Sequence, residues 1–340
     1  MGKNCSCQDT CCNQNNCDPF QVNSHFTVED FVDHFKARLG INRFDLKIEP
    51  GLYKLGSPDD SSPVLVTGNY KLSFNEVRTN LKDHSAWILV INTRGINVWC
   101  AAGKGTFGTY ELCKRIKEVK LHELVTHRRL ILPQLGAPGI KAHAVTKDTG
   151  FQISYGPVYA KDLPEYLKTG FKTEKMRQIR FSFWERVVLT PVEIQGGLKT
   201  LLTGLVIIPF IYFALMHSFV GMWIYPLLWL GTFLSGTVLF PIMLPLFPWK
   251  SFSLSGIILG ALWINIMSII TFLSWEETVS FSFMAAGLCG YLTFNFTGAT
   301  TFTCPSGVEK EMKRAIPALI TLSSIGLVLG VFFLVRGIWF

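Results

Sequence analysis

Two rhythms of apolar positions divide the chain near residue 200. Before that point, short apolar runs at Val64–Val66, Trp87–Ile91, Leu130–Leu132 and Phe151–Ile153 alternate with stretches of helical spacing. That alternation predicts β/α units around a mostly parallel sheet. After it, apolar stretches of about 20 residues succeed one another, each long enough to cross a ~30 Å hydrocarbon core as a helix. Five spans are predicted, at about 200–220, 222–245, 251–273, 278–298 and 315–335. The expected architecture is a Rossmann-like α/β domain followed by an all-α transmembrane bundle of about five helices.

Finer divisions follow from local composition. Residues 1–40 read as a Cys-rich tail with a first helix, 41–170 as the α/β domain, 171–198 as an amphipathic linker and 199–340 as the membrane domain. The linker mixes Lys172, Lys175, Arg177, Arg180 and Arg186 with Phe181, Phe183 and Trp184, the composition of a segment at lipid headgroups. Ser73 and Glu76 have the spacing of a capping box, which predicts a helix starting there. No internal repeat is present, and the spans show no matched pair of broken helices of the kind secondary transporters use.

Charge narrows the partners. The chain carries a formal net charge of +8, yet no basic run is interleaved with stacking aromatics, so the excess suits an anionic membrane surface and argues against nucleic acid. Lys199, Lys250, Lys310, Lys313 and Arg314 fall on one side of the spans and Glu276 and Glu277 on the other, with Arg336 the exception. The first 20 residues are polar and lack the apolar core of a signal peptide. Together these place the α/β domain in the cytoplasm and the spans in the cell's inner, cytoplasmic membrane. Such a compartment disfavours structural disulfides. Cys5, Cys7, Cys11, Cys12 and Cys17 do not match paired CxxC metal sites.

The stretch richest in chemistry runs from Asn97 through Val98, Trp99, Cys100, Ala101, Ala102 and Gly103 to Lys104, just after an apolar strand and the turn ending at Gly95. Asn97 is a good N-cap, so Cys100 falls in a first helical turn, where the helix dipole and Lys104 favour a thiolate. The small residues Ala101, Ala102, Gly103 and Gly105 suggest a bare surface that a flat ligand can approach. A structural cysteine on a tightly packed helix explains the same residues. Lys104 followed by Gly105 rather than Ser or Thr excludes a phosphate-binding P-loop.

The octapeptide N-V-W-C-A-A-G-K, a following helix near Thr106 and five apolar spans resemble the HgcA family, the membrane-anchored corrinoid proteins of microbial mercury methylation. The α/β half is similar to the corrinoid iron–sulfur protein of the acetyl-CoA pathway. The resemblance implies a corrinoid-binding domain in which Asn97 to Lys104 cap the lower face of a base-off, cobalamin-type corrinoid. Cys100 is then both the catalytic residue and the axial ligand to cobalt, in a chain without the D-x-H-x-x-G pattern that offers a histidine. Thr106 belongs to the same segment. Thr67, Gly68 and Asn69 at one strand end, and Gly136 and Ala137 at another, are the further expected cofactor contacts. The implied activity is a corrinoid-dependent methyltransferase that passes a methyl group to Hg(II). A methyltetrahydrofolate-type donor and a ferredoxin-like [4Fe-4S] partner, HgcB, are the implied suppliers of methyl groups and electrons. The alternative is a membrane-bound thiol or heavy-metal-handling protein that uses Cys100 and the N-terminal cysteines without cobalt.

Overall fold

The computed structural model describes residues 19–43, 45–217, 219, 221–298, 300, 303 and 305–337. The N-terminal cysteines and Cys304 lie outside these residues. The chain forms two compact units, one reaching to Ala37 and continuing over Asn42–Gln178, the other made of Arg38–Ile41 with Ile179 onward.

The first unit contains β1 (Phe20–Val22), α1 (Val28–Arg38), β2 (Gly51–Leu55), β3 (Val64–Gly68), α2 (Lys71–Asn80), β4 (Ala86–Ile91) and α3 (Val98–Gly103). It continues with α4 (Thr109–Glu118), α5 (Leu121–Leu124), β5 (Arg129–Leu132), a 3-10 turn (Gln134–Gly139), α6 (Ala142–Thr149), β6 (Gln152–Tyr155), α7 (Leu163–Thr169) and α8 (Glu174–Arg177). The strands make one six-stranded sheet in the order β1-β2-β4-β3-β5-β6. All neighbours run parallel except β2 and β4, which pair antiparallel with Gly51 opposite Val90. Every residue of β3 and β4 is buried, as central strands covered on both faces require. Their alternating side chains feed two cores. Val64, Val66, Leu89 and Ile91 pack with Ala101, Phe107 and Leu112 on one face, while Leu65, Ile88 and Val90 pack with Phe74, Leu81 and Leu163 on the other.

The capping box expected at Ser73 does not form. Tyr70 is the extended N-cap of α2, held by a β-bridge to Lys47, and the Lys71 N–H donates to Leu46 O, so the helix has begun before Ser73. Capping boxes form instead at Ser182 with Glu185 and at Ser274 with Glu277.

The second unit contains α9 (Phe183–Val187), α10 (Thr190–Met216), α11 (Ile224–Leu234), a π-helical turn (Ser235–Leu239), α12 (Phe240–Met243), α13 (Phe252–Thr271), α14 (Trp275–Asn295) and α15 (Pro305–Val335). Among the described residues, five helical segments are long and apolar enough to cross a membrane, as the sequence predicts. The first helix begins inside the stretch read as a linker, at Thr190. Small residues set the packing. A Cβ on Gly260 of α13 would collide with Ala285 O of α14, and one on Gly326 of α15 would meet Ser280 O at 2.7 Å, so these backbones touch directly.

Candidate cofactor crevice around Cys100

Strand order reverses at β3: the chain moves to β4 on one side, then crosses to β5 on the other. In open α/β sheets the crevice beyond the carboxyl ends of strands at such a reversal is where ligands bind. Three segments leave the sheet there. They are the end of β3 with Asn69 beyond it, the turn into α3 after β4, and the 3-10 turn after β5. All the sequence-expected contacts belong to them.

Asn97 caps α3 as expected, its Oδ1 accepting the Cys100 N–H at 2.9 Å. Cys100 is half-buried in the first turn. Burial pushes its thiol pKa up, and the opposing effects of Lys104, Arg43 and the Asn97 side chain do not reverse this. The expectation of a favoured thiolate is therefore corrected: desolvation outweighs the short helix and the nearby cations. Cys100 keeps its proton until something replaces it.

The bare surface is also smaller than the sequence suggests. Ala101 and Ala102 are buried and belong to the core, whereas Gly103 and Gly105 are exposed, and a Cβ on either would meet nothing within 4 Å. The alanines serve packing instead. A Cβ on Gly139 would collide with Phe107 O and lie 3.1 Å from Ala102 Cα, and one on Gly136 would come within 2.6 Å of the Phe107 ring. Phe107, wholly buried, is thus the wedge that fixes the 3-10 turn against α3. Val98 points into the core, and Trp99 is half-buried. Lys104 is the exposed C-cap, and Thr106 closes the helix with its N–H on Ala101 O at 2.9 Å. Ala137 is half-exposed in the facing turn.

Asn69 does something the sequence does not reveal. Its buried Oδ1 accepts from Thr93 N at 2.9 Å, Thr93 Oγ1 at 3.0 Å and Gly95 N at 3.0 Å. One amide oxygen therefore holds the turn that launches α3, in which Arg94 and Gly95 both have positive φ. Gly68 is needed beside it, since a Cβ would come within 2.8 Å of Thr93 Cγ2. Thr67 is buried in register with Val90.

Residues 42–167 match the family model described as CO dehydrogenase/acetyl-CoA synthase delta subunit. The match holds the whole crevice. Acetyl-CoA decarbonylase/synthase complex subunit gamma of Methanopyrus kandleri is 37% identical over 128 residues, covering 36% of this chain and 26% of the relative. Its counterpart from Methanothermobacter thermautotrophicus is 33% identical over 122 residues, covering 35% and 26%. The corrinoid/iron-sulfur protein large subunit of Moorella thermoacetica is 26% identical over 125 residues, covering 36% and 28%. The chain thus spans about a quarter of the length of these curated relatives.

Among the described residues no group of three or more His, Cys, Asp or Glu side chains is placed to hold a metal ion. Cys100 is a free, half-buried thiol at the crevice. A lone thiol suits a metal that arrives with its equatorial positions already filled by a macrocycle, and suits a bare Zn(II) poorly. The open faces of Gly103 and Gly105 leave room for such a ring, so the residues fit a corrinoid.

Sequence reasoning placed Thr93 and Gly139 in turns beside the expected site but missed that, with Phe107, they fix the position of α3. It missed a second polar cluster as well. Asp30 of α1 is buried against Arg78 of α2, with the Asn75 amide donating to it at 3.0 Å. Burial alone would raise the Asp30 pKa, but the Thr27 N–H and the Arg78 guanidinium hold it well below the usual carboxylate range. The cluster ties α1 to α2 and contributes no group to the crevice.

Proposed function

We propose that this chain is a membrane-anchored, corrinoid-dependent methyltransferase whose Cys100 is the axial ligand to cobalt and whose acceptor is Hg(II). The observation that carries the reading is the lone, half-buried, N-capped Cys100 at the reversal point of a sheet whose residues match a corrinoid-protein lineage. The HgcA-like octapeptide followed by five membrane-length helices separates this chain from relatives that share only the α/β unit.

When bound, the corrinoid supplies the cobalt on which the methyl group is carried. The chain's own residues do the rest. Asn97 anchors the Cys100 amide, the turn held by Asn69 fixes the helix, and Phe107 locks it against the facing turn. Cys100 would hold the group through its sulfur, giving up its proton to do so, and a thiolate donor there would favour passing a methyl group to an electrophile such as Hg(II). Lys104 and Arg43 supply the positive potential that eases this deprotonation. Gly103 and Gly105 leave the macrocycle unobstructed. The methyltetrahydrofolate-type donor and the ferredoxin-like [4Fe-4S] partner, HgcB, complete the proposal, as does a crevice facing the cytoplasm.

The test is methyl transfer from methylcobalamin-loaded full-length protein to Hg(II). Wild type is expected to form methylmercury and Cys100→Ala to form none. Equal turnover in that variant would remove Cys100 from the mechanism. Tight Hg(II) binding without any uptake of cobalamin would favour the thiol-handling alternative.

A further inference from the structure

Helix α1 is amphipathic inside out. Its charged side is the one packed on the first unit: Asp30 pairs with Arg78 of α2 and accepts from the Asn75 amide at 3.0 Å, and Asp33 lies 2.5 Å from Lys71 Nζ. Ala37, on the same side, is buried against Tyr70 and Leu72. The apolar side is the one left outside. Val28, Phe31, Val32 and Phe35, spaced i, i+3, i+4 and i+7, form one stripe and are 81, 62, 41 and 57% exposed. The Phe31 and Phe35 rings stack along it at 6.5 Å. A helix that met only water would be turned the other way, with its phenylalanines buried and its carboxylates out. The polar network that fixes α1 therefore holds the stripe outward, toward a partner.

Two occupants match it poorly. The residues before Pro19 contain no Val, Ile, Leu, Phe, Trp or Tyr, so that segment brings no apolar face of its own. A second protein surface would find one side of an 11-residue helix, ~16 Å long and ~10 Å wide, far short of the ~800 Å² that each partner gives to a stable pair. A lipid surface sets no such minimum, because the five spans already keep the chain beside it. The chain also leads there directly. Arg38, the last residue of α1, begins the short segment that belongs to the second unit, and a Cβ on Gly40 in that segment would lie 2.8 Å from Gln195 Oε1 of α10. Gln195 precedes the apolar span that opens near Thr200 by five residues, ~8 Å along the helix, which is the depth of one headgroup layer.

We infer that α1 is an interfacial helix, its stripe of Val28, Phe31, Val32 and Phe35 lying in the lipid surface of the membrane that the spans cross. The apolar face of such a helix enters the boundary between headgroups and acyl chains by ~5–10 Å. Exposed Lys36 flanks the stripe, and its long stem carries the ammonium back up to the headgroups. The contact asks for no particular headgroup, and it stands apart from the corrinoid chemistry proposed for the crevice.

The experiment puts the photoreactive residue p-benzoylphenylalanine at one position of the full chain, reconstituted in phosphatidylcholine vesicles, and identifies by mass what the activated ketone joins. Lipid adducts are expected from Phe31→p-benzoylphenylalanine and from the same replacement at Phe35. None is expected from Tyr110, an exposed aromatic residue on α4 of the same unit. Adding Val28→Asp and Val32→Asp should lower the adduct yield at Phe31 about tenfold, at unchanged helix content by circular dichroism, since both positions are exposed. An adduct with the mass of two chains would overturn the inference by making the stripe an interface between copies. An unspent ketone at Phe31 and Phe35, or lipid adducts as frequent at Tyr110 as at Phe31, would overturn it by leaving the stripe no lipid contact of its own.

Discussion

At the scale of single residues, the proposed chemistry depends on Cys100 and the side chains that hold it. Its raised thiol pKa means that the apo protein presents a thiol at neutral pH, so coordination must release a proton. Cobalamin affinity should therefore rise by about tenfold per pH unit below the thiol pKa and level off above it. Titration followed by visible absorption checks this, and a flat profile would show that the thiol is not the group displaced. Lys104→Glu should weaken uptake at neutral pH by removing an effect that lowers the pKa. Asn69→Leu strands the buried N–H groups of Thr93 and Gly95, at about 1–3 kcal/mol each. A lowered thermal midpoint and lost cobalamin uptake are expected, whereas Asn69→Asp, which keeps the acceptor, should recover much of both. Asn97 was legible because capping depends on residues adjacent in sequence. The direction of the Cys100 shift was not, because it depends on burial by chain distant from the octapeptide. Nor was the role of Asn69, whose partners lie 24 and 26 positions away.

At the scale of elements, α3 is a helix of six residues, too short to be stable by itself, and its position is imposed by contact with the 3-10 turn. Two glycine substitutions separate packing from ligand access. Gly139→Ala collides with Phe107 and should cost about 1–3 kcal/mol, lowering the thermal midpoint with or without cobalamin. Gly103→Ala meets open space and gains up to about 1 kcal/mol of helix propensity, so the apo protein should hold or gain stability. Cobalamin uptake by that variant should fall, because the added methyl stands on the exposed face of α3 beside Cys100. Unimpaired uptake by Gly103→Ala would place the macrocycle elsewhere. The buried strands β3 and β4 were readable as unbroken apolar runs. The edge strand β1 and its neighbour β2 were not: one has three residues, and the other contains Gly51 and Lys54, which interrupt the apolar pattern. Ser73 misled for a related reason, since a β-bridge at Tyr70 fixed the helix start before local capping chemistry could.

At the scale of the whole molecule, a crevice built on one unit is carried by a chain with five membrane-length helices. The spans were legible because apolar length alone specifies them. The close approaches at Gly260 and Gly326 depend on how helices meet and leave no periodic signal. The charge pattern predicts an orientation that labelling can check. With a membrane-impermeant maleimide on intact cells, Phe219→Cys should react from outside and Lys250→Cys only after permeabilisation; the reverse would put the crevice on the other side. Ligation of the cobalt by Cys100 is tested most directly by the visible absorption spectrum of the full-length protein loaded with cobalamin, wild type against Cys100→Ala. A shifted, base-off, thiolate-ligated spectrum is expected in the wild type and absent from the variant at equal folding. Identical spectra, or no uptake of cobalamin by folded wild-type protein, would contradict it.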